Sequence, residues 1–222
     1  MKKRRKFLYS LGVAYYPEKE MLRLQKQAMR GWQFVGMNRL GFLTFEKQPP
    51  QAKKFAVDFF DGELSEESEY IALYEASGWH YISSYQKRYY YFEGDLDAPP
   101  IFSDQASYQE RIDAEQRYLI KRAFVVALIG ALFLIVLYSI KSLWHWQDHA
   151  MWSFVFGICT GLLFLPAIIS MVSYLMGKLY KDRAKYYNEP EKIAKRQKVV
   201  RDLFIMALAG AVLGGIAGYL FG

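Results

Sequence analysis

The chain has 222 residues, of which 53% are hydrophobic and 23% are charged, and its net charge is +7. A hydrophobic content this high excludes an intrinsically disordered chain, and the apolar residues concentrate in the second half, which indicates a soluble region followed by a membrane region. The single cysteine, Cys159, excludes an intramolecular disulfide.

The distribution of the basic residues argues against nucleic-acid binding. Residues 2–6 are all basic, and a second basic stretch, residues 178–202, holds nine basic and four acidic side chains. Between these stretches, residues 7–100 carry a net negative charge. Lysine and arginine beside membrane spans usually determine which side of the membrane a loop occupies. We therefore expect the lipid bilayer as a partner, and no nucleic acid.

Two successive segments of the N-terminal half have the same predicted order of elements, β-α-β-β. The first comprises a strand over Lys6–Val13, a helix beginning at Pro17, and strands over Trp32–Met37 and Arg39–Glu46. The second comprises a strand over Lys54–Phe60, a helix over Ser65–Ser77, and strands over Trp79–Ser84 and Arg88–Glu93. Gly31 and Gly78, which each precede a tryptophan, are expected to adopt the left-handed conformation that ends a helix.

The two segments are related by a constant offset along the chain. The pairs Gly31-Trp32 and Gly78-Trp79 are 47 positions apart, and the same offset relates two later Phe-Glu pairs. A shared offset indicates an internal repeat. One unit alone can hardly bury its helix and sheet, so we expect the two to pack as an α+β sandwich with the helices on one sheet face, a variant of the ferredoxin-like fold.

Several segments of this half resemble a known bacterial family, the domain of unknown function 2812. The segments that carry the resemblance are GWQFVGMN, FLTFEK, KKFAVDFF, EESEYIALYEASGWHYI and YYYFEG, within about residues 5–95. The most specific of them is the helix that ends in SGW and is followed by an aromatic strand. The resemblance implies membrane spans after the domain and genes that often lie beside those of PadR-type transcriptional regulators. It implies no catalytic residues.

Three consecutive regions are predicted from the change in composition along the chain. They are the duplicated domain over residues 1–98, a linker and stalk helix over 99–122, and a transmembrane region over 123–222. Ser107 and Glu110 have the spacing of a capping box and are expected to start the stalk helix. Long apolar runs predict three spans, at about residues 123–141, 152–176 and 203–221.

The charges of the loops predict the orientation of a multi-pass protein of the cell membrane. The loop after the first span holds one lysine and one aspartate as formal charges, whereas the loop after the second span holds the nine basic residues. Because basic loops stay inside, we expect the N-terminal domain in the cytoplasm and the C-terminus outside.

Glycines at every fourth position are predicted to be helix-packing residues. They are Gly210, Gly214 and Gly218 in the third span, with Gly157 and Gly161 in the second span as the surface that faces them. Small side chains at this spacing allow two helices to approach closely in lipid. The pattern indicates packing within one chain or a homo-oligomer through the third span.

No motif of known chemistry is present in the sequence. His145 and His149 flank Asp148, but two histidines and one acid define no third and fourth metal ligand. The sequence has no glycine-rich phosphate loop, no Ser-His-Asp spacing and no paired cysteines. We therefore predict no catalytic, cofactor-binding or metal-binding residues, and a protein that is not an enzyme.

The one indication of binding is an aromatic strand. Tyr89, Tyr90, Tyr91 and Phe92 occupy both faces of it, so about half of these side chains are expected in the core. The other half is predicted to line a surface for a peptide, a partner helix or an apolar ligand.

These observations favour a non-enzymatic integral membrane protein whose cytoplasmic α+β domain binds a partner or ligand, in a sensory, regulatory or scaffolding role. The alternative is a subunit of a small transporter, channel or membrane complex. Transport sites normally need polar groups at the centre of the membrane, and the predicted spans offer few of them.

Overall fold

The computed structural model describes residues 4–144, 150–180 and 182–197, with the backbone alone for residues 141–144 and 150–154. The chain forms two compact units. The first contains the described residues of Met1–Gln109 and Asp182–Gly222, and the second is Glu110–Lys181.

The first unit contains two antiparallel three-stranded sheets. The strands of the first sheet are β1 (Arg5–Tyr9), β2 (Trp32–Met37) and β3 (Phe42–Lys47), in the order β1-β3-β2. The strands of the second are β4 (Lys54–Phe59), β5 (Trp79–Tyr85) and β6 (Tyr89–Gly94), in the order β4-β6-β5. The central strand of each sheet is therefore the last one to occur in the sequence. The predicted α+β class is confirmed for this region.

One helix connects the first two strands of each sheet. Helix α1 is Pro17–Ala28, and helix α2 is Glu67–Ala76, preceded by a 3-10 turn at Leu64–Glu66. Proline suits the first turn of α1 because its missing N–H has no partner there in any case. Gly31 and Gly78 follow the two helices with φ values of +74° and +84°, which confirms the predicted left-handed conformation.

The predicted placement of both helices on one sheet face is wrong. Tyr90 and Phe92 of β6 pack against α2, with ring centroids 5.2 Å from Tyr70 and 4.5 Å from Tyr74, respectively. Tyr91 projects from the opposite face of the same strand, and its hydroxyl donates to Glu20 of α1 at 3.4 Å. The second sheet therefore has a helix on each face, because the four successive aromatic side chains of β6, Tyr89–Phe92, are buried on both of its faces.

Two strand boundaries differ from the prediction because polar side chains bond to the backbone of the loops. Strand β1 ends at Tyr9 instead of Val13, since the Ser10 side chain accepts the Gly12 backbone N–H at 3.1 Å and Gly12 has a φ of +92°. Strand β3 begins at Phe42 instead of Arg39, since the Asn38 side chain accepts the backbone N–H of Leu40 and of Phe42 at 3.0 and 2.9 Å. An asparagine that bonds to the backbone two and four positions on favours a turn over a strand.

The second unit contains most of α3 (Gln105–Trp144) and all of α4 (Ala150–Leu179). Within the described residues, these are the two helices long and apolar enough to cross a membrane. The third predicted span, 203–221, lies outside the described residues. The predicted capping box at Ser107 and Glu110 is wrong: α3 begins two residues before Ser107, and the Asp104 carboxylate accepts the Ser107 N–H at 2.8 Å.

The chain returns to the first unit after α4. Residues Arg183–Tyr186 form a 3-10 turn, and residues 190–197 are helical. Proline at position 190 again occupies the first helical position.

Candidate functional site

All four side chains of the aromatic strand lie in the core, including the half that was predicted to line a binding surface. Tyr89, Tyr90, Tyr91 and Phe92 are all buried. Tyr90 and Phe92 belong to the cluster beneath α2, and the ring of Tyr91 lies 5.0 Å from that of Phe34 in the first sheet. Because both faces of β6 are covered, none of the four side chains is exposed to a partner.

Of the predicted packing glycines, Gly157 and Gly161 have no atom of the described residues within 4 Å of the position that a Cβ would take. Gly210, Gly214 and Gly218 lie outside the described residues. The close approach of α3 to α4 occurs at Gly130, where a Cβ would lie 2.8 Å from the Leu162 Cβ and 3.2 Å from the Cys159 carbonyl oxygen. The sequence pattern did not single out Gly130, because it has no second glycine at helical spacing.

The histidine pair of the predicted loop also lies outside the described residues. His145, Asp148 and His149 are not among the described residues, and those residues contain no group of three His, Cys, Asp or Glu side chains that could hold a metal ion.

The strongest polar site in the described residues is a buried carboxylate in the first turn of α1. Glu18 is buried, and its Oε1 accepts hydrogen bonds from the Tyr108 hydroxyl and from Arg183 Nε, each at 2.5 Å. Its Oε2 accepts the Gln197 side-chain amide at 2.6 Å. We refer to Glu18, Tyr108, Arg183 and Gln197 as the Glu18 cluster.

The Glu18 cluster joins three segments that are far apart in the sequence. Tyr108 lies in the first turn of α3, Arg183 lies four residues after the end of α4, and Gln197 lies in the helical segment 190–197. Gln197 also accepts the Lys19 backbone N–H at 3.2 Å and donates to the Tyr15 carbonyl oxygen at 3.4 Å. These bonds fix the returning segment to the N-terminal end of α1.

The charge of Arg183 decides the ionisation of Glu18. Burial alone would raise the pKa of Glu18, because a carboxylate loses its hydration in an apolar environment. The charge of Arg183 and the hydrogen bonds from Tyr108 and Arg183 outweigh burial, and the pKa of Glu18 lies below its ordinary value of 4.5. The guanidinium also lies 5.6 Å from the centre of the Tyr108 ring, within the range of a cation–π interaction.

A second buried carboxylate on the same helix has the opposite shift. Glu20 accepts hydrogen bonds from the Ser10 hydroxyl and the Leu11 backbone N–H, each at 2.7 Å, and burial raises its pKa above the ordinary value of 4.5 despite these bonds. The hydrogen-bond donors to Glu20 are neutral, whereas one of the donors to Glu18 is the positively charged guanidinium of Arg183. This difference in partner separates the pKa values of two acids that are two positions apart.

A third buried acid holds α2 on the second sheet. Asp58 of β4 accepts the hydroxyl groups of Tyr70 and Tyr74 at 2.7 and 2.6 Å. Burial and the nearby Asp58 charge raise the pKa of Tyr70 well above its ordinary range, so the phenol remains a donor. The polar contact orients an otherwise aromatic interface.

Sequence reasoning missed the Glu18 cluster because each member has a common local explanation. An acid in the first turn of a helix normally complements the helix dipole, and arginine after an apolar helix normally faces lipid headgroups or water. The structure instead buries Arg183 against Glu18. The available signal was the concentration of acids at positions 18 and 20 beside apolar residues of α1.

Comparison with known proteins identifies a family for part of the chain. Residues 16–124 match the model of a family described as a protein of unknown function, DUF2812. This region includes Glu18, Glu20, Asp58 and Tyr108, whereas Arg183 and Gln197 follow it. No curated protein matches the chain, and no solved structure matches it.

Proposed function

Residues 16–124 belong to the DUF2812 family, whose description assigns no activity, and from this premise we propose that the protein is a non-enzymatic membrane protein whose α+β domain binds a partner or ligand. The domain would act as a sensory, regulatory or scaffolding module. Its binding state would be transmitted through the Glu18 cluster to the chain segments that adjoin the two apolar helices.

The Glu18 cluster is the observation that carries this proposal. One buried carboxylate receives donors from the first turn of α3 and from the segment that follows α4. A buried charge that loses one partner is strongly destabilised, so a movement of α1 away from either segment carries a large energetic cost. A ligand that displaced α1 would therefore also displace Tyr108 or Arg183. This is the physical requirement for coupling between a domain and the helices attached to it.

The proposal includes a membrane location with several spans. Large apolar side chains remain exposed along α3 and α4, among them Phe124, Leu128, Phe164 and Ile168. Such surfaces suit lipid, and the charge distribution of the loops supports a cytoplasmic domain with the C-terminus outside. A third span over residues 203–221, with an oligomer contact through its glycines, completes the proposed arrangement.

We also propose that the α+β region is a tandem ferredoxin-like repeat. Both sheets have the same strand order, with a helix between their first two strands. Register shifts occur between Phe34 and Gly36 in one sheet and between Tyr81 and Ser83 in the other, and these positions are again 47 residues apart. Equivalent bulges in equivalent strands support a common origin of the two halves.

Crosslinking of the full-length protein in cell membranes tests the proposed function. A tagged wild-type chain is compared with Arg183→Met, which removes the charge that neutralises Glu18, and with Lys185→Met, a change of an exposed residue in the same turn. We expect the wild type and Lys185→Met to capture the same protein or small molecule, and Arg183→Met to capture less of it. Capture of no specific protein or ligand by the wild type would refute a binding role, and equal capture by all three would refute transmission through the cluster.

The alternative function, a subunit of a transporter, channel or membrane complex, is supported by the tight contact of α3 with α4 at Gly130. A flux assay in proteoliposomes separates the two functions. Transport of an ion or solute by the purified chain would favour the alternative.

A further inference from the structure

The outer face of the first sheet carries aromatic side chains that are exposed. Phe7 and Tyr9 alternate along β1 on this face and retain 56% and 67% of their accessible surface. Phe42 of β3 is paired with Tyr9 of β1, with ring centroids 5.5 Å apart, and Leu40 in the turn before β3 is 76% exposed. We refer to Phe7, Tyr9, Leu40 and Phe42 as the aromatic face.

The aromatic face lies opposite α1. The intervening side chains of the same strands point the other way, where Lys6 donates to Gln27 of α1 at 2.8 Å and Phe45 is fully buried. A strand with one buried face normally carries polar side chains on its other face. Exposed aromatic residues on the solvent side of a sheet therefore indicate a surface that is covered by something else.

Arginine residues lie at the ends of the strands that carry the aromatic face. Arg4 precedes β1, Arg39 lies next to Leu40 in the turn, and both are exposed. The guanidinium of Arg23 donates to the Tyr9 carbonyl oxygen at 2.6 Å, which places its charge at the end of β1.

Glu46 contributes a carboxylate to this face, and it is neutralised within the sheet. Glu46 of β3 lies opposite Arg5 of β1, and the side chains form an ion pair at 3.2 Å. The net charge around the aromatic face is therefore positive. By contrast, α2 carries the exposed Leu73 among acidic residues such as Glu69 and Glu75. An exposed leucine therefore also occurs on a negatively charged surface of this domain, and that surface would repel anionic lipid.

We propose that the aromatic face docks on an anionic lipid surface. Tyrosine and phenylalanine enter the headgroup region, and the neighbouring arginines bind lipid phosphates and carboxylates. A protein partner would not require the neighbouring arginines. A second copy of the same face would bring like charges together. The inference goes beyond the proposed function because it concerns a surface remote in sequence from Tyr108, Arg183 and Gln197.

Full-length protein reconstituted into vesicles tests the proposal. An environment-sensitive dye is attached at Leu40→Cys in a Cys159→Ser background, and the matched control carries the dye at Leu73→Cys. The vesicles contain phosphatidylcholine alone or phosphatidylcholine mixed with phosphatidylserine. We expect the emission at position 40 to shift to shorter wavelength in the mixed vesicles, to be quenched by nitroxide-labelled lipid, and to lose the shift at high salt because salt screens the charges. Position 73 should show no shift.

Each outcome separates the possible explanations. The proposal is refuted if the emission at position 40 is the same in both vesicle types, or if positions 40 and 73 are quenched equally. A shift in phosphatidylcholine alone that grows with the protein-to-lipid ratio would show contact between two copies and would also refute it. Failure of the protein to float with the vesicles would instead refute the membrane location proposed above. The triple change Arg4→Gln, Arg23→Gln and Arg39→Gln should abolish the shift while leaving flotation unchanged.

Discussion

Arg183 and Glu18 are 165 positions apart in the sequence, yet the Arg183 Nε donates to Glu18 Oε1 at 2.5 Å inside the first unit. The ion pair lies between the beginning of α1 and the segment that follows α4. Each charge alone could be explained by its position near a helix end. In the fold, the two form one buried contact between distant parts of the chain.

Loss of the Arg183 charge is expected to destabilise the first unit. Arg183→Met leaves Glu18 buried beside neutral donors, and breaking a buried ion pair from one side costs about 3–5 kcal/mol. The free energy of unfolding, measured in detergent by circular dichroism, should fall by an amount in this range. Lys185→Met should change it little, because Lys185 and its partner Asp182 are exposed. Equal losses in the two variants would contradict a specific role for Arg183.

The contribution of Glu18 to stability is expected to disappear in acid. Its pKa in the folded protein lies below the ordinary value of 4.5, so the unfolded chain binds the proton more tightly. The stabilisation is therefore complete above pH 4.5 and decreases as the pH falls below it. The difference in unfolding free energy between the wild type and Glu18→Gln should shrink over this acidic range. A difference that stays constant with pH would show that Glu18 does not ionise differently in the two states.

Glu20 is expected to have the opposite pH dependence. Its pKa in the folded protein is raised, so the protonated form contributes stability below pH 4.5, and this contribution is lost as the pH rises through the folded pKa. Glu20→Gln keeps a carbonyl oxygen for the Leu11 N–H and removes the buried charge. At neutral pH the variant should therefore be at least as stable as the wild type, by urea unfolding. A large loss of stability at neutral pH would show that the ionised carboxylate is required.

Gly31 and Gly78 are expected to differ in their tolerance of alanine. Both have positive φ, which costs an L-residue about 1–2 kcal/mol. A Cβ at Gly31 would also lie 2.6 Å from the Gln48 carbonyl oxygen, whereas none of the described residues lies within 4 Å of a Cβ at Gly78. Gly31→Ala should therefore lower the melting temperature more than Gly78→Ala. Equal shifts would show that the loop around Gln48 moves away without cost.

Gly130 is expected to be the essential small residue between α3 and α4. Alanine at this position would force the Leu162 side of α4 away, and overpacking of this kind typically costs about 1–3 kcal/mol. Gly177→Ala is the control, since a Cβ there would meet none of the described residues within 4 Å. Thermal unfolding in detergent should show a loss for Gly130→Ala that Gly177→Ala lacks. A loss of the same size at both positions would exclude a packing role specific to Gly130.

The local structure follows largely from the sequence. Pro17 begins α1, the apolar spacing of Met21, Leu24 and Ala28 gives it one buried face, and Gly31 ends the turn that follows it. These features depend on neighbours within a few positions, through backbone conformation and periodic burial. The long apolar runs likewise predicted α3 and α4, because a helix of that length satisfies its own backbone hydrogen bonds.

The tertiary structure decided which side chains meet. The sequence could not determine that β6 is covered on both faces, because a run of consecutive aromatic residues suits a strand that is covered on both faces or exposed on one. It could not pair Glu18 with Arg183, because an ion pair between distant segments leaves no periodic signal in either of them. It could not identify Gly130, because close packing of two helices depends on their relative position and not on the spacing within one helix. For the described residues, the sequence by itself therefore determined the type and order of the elements, because these depend on neighbours within a few positions, whereas burial and charge pairing between distant segments were set by the fold.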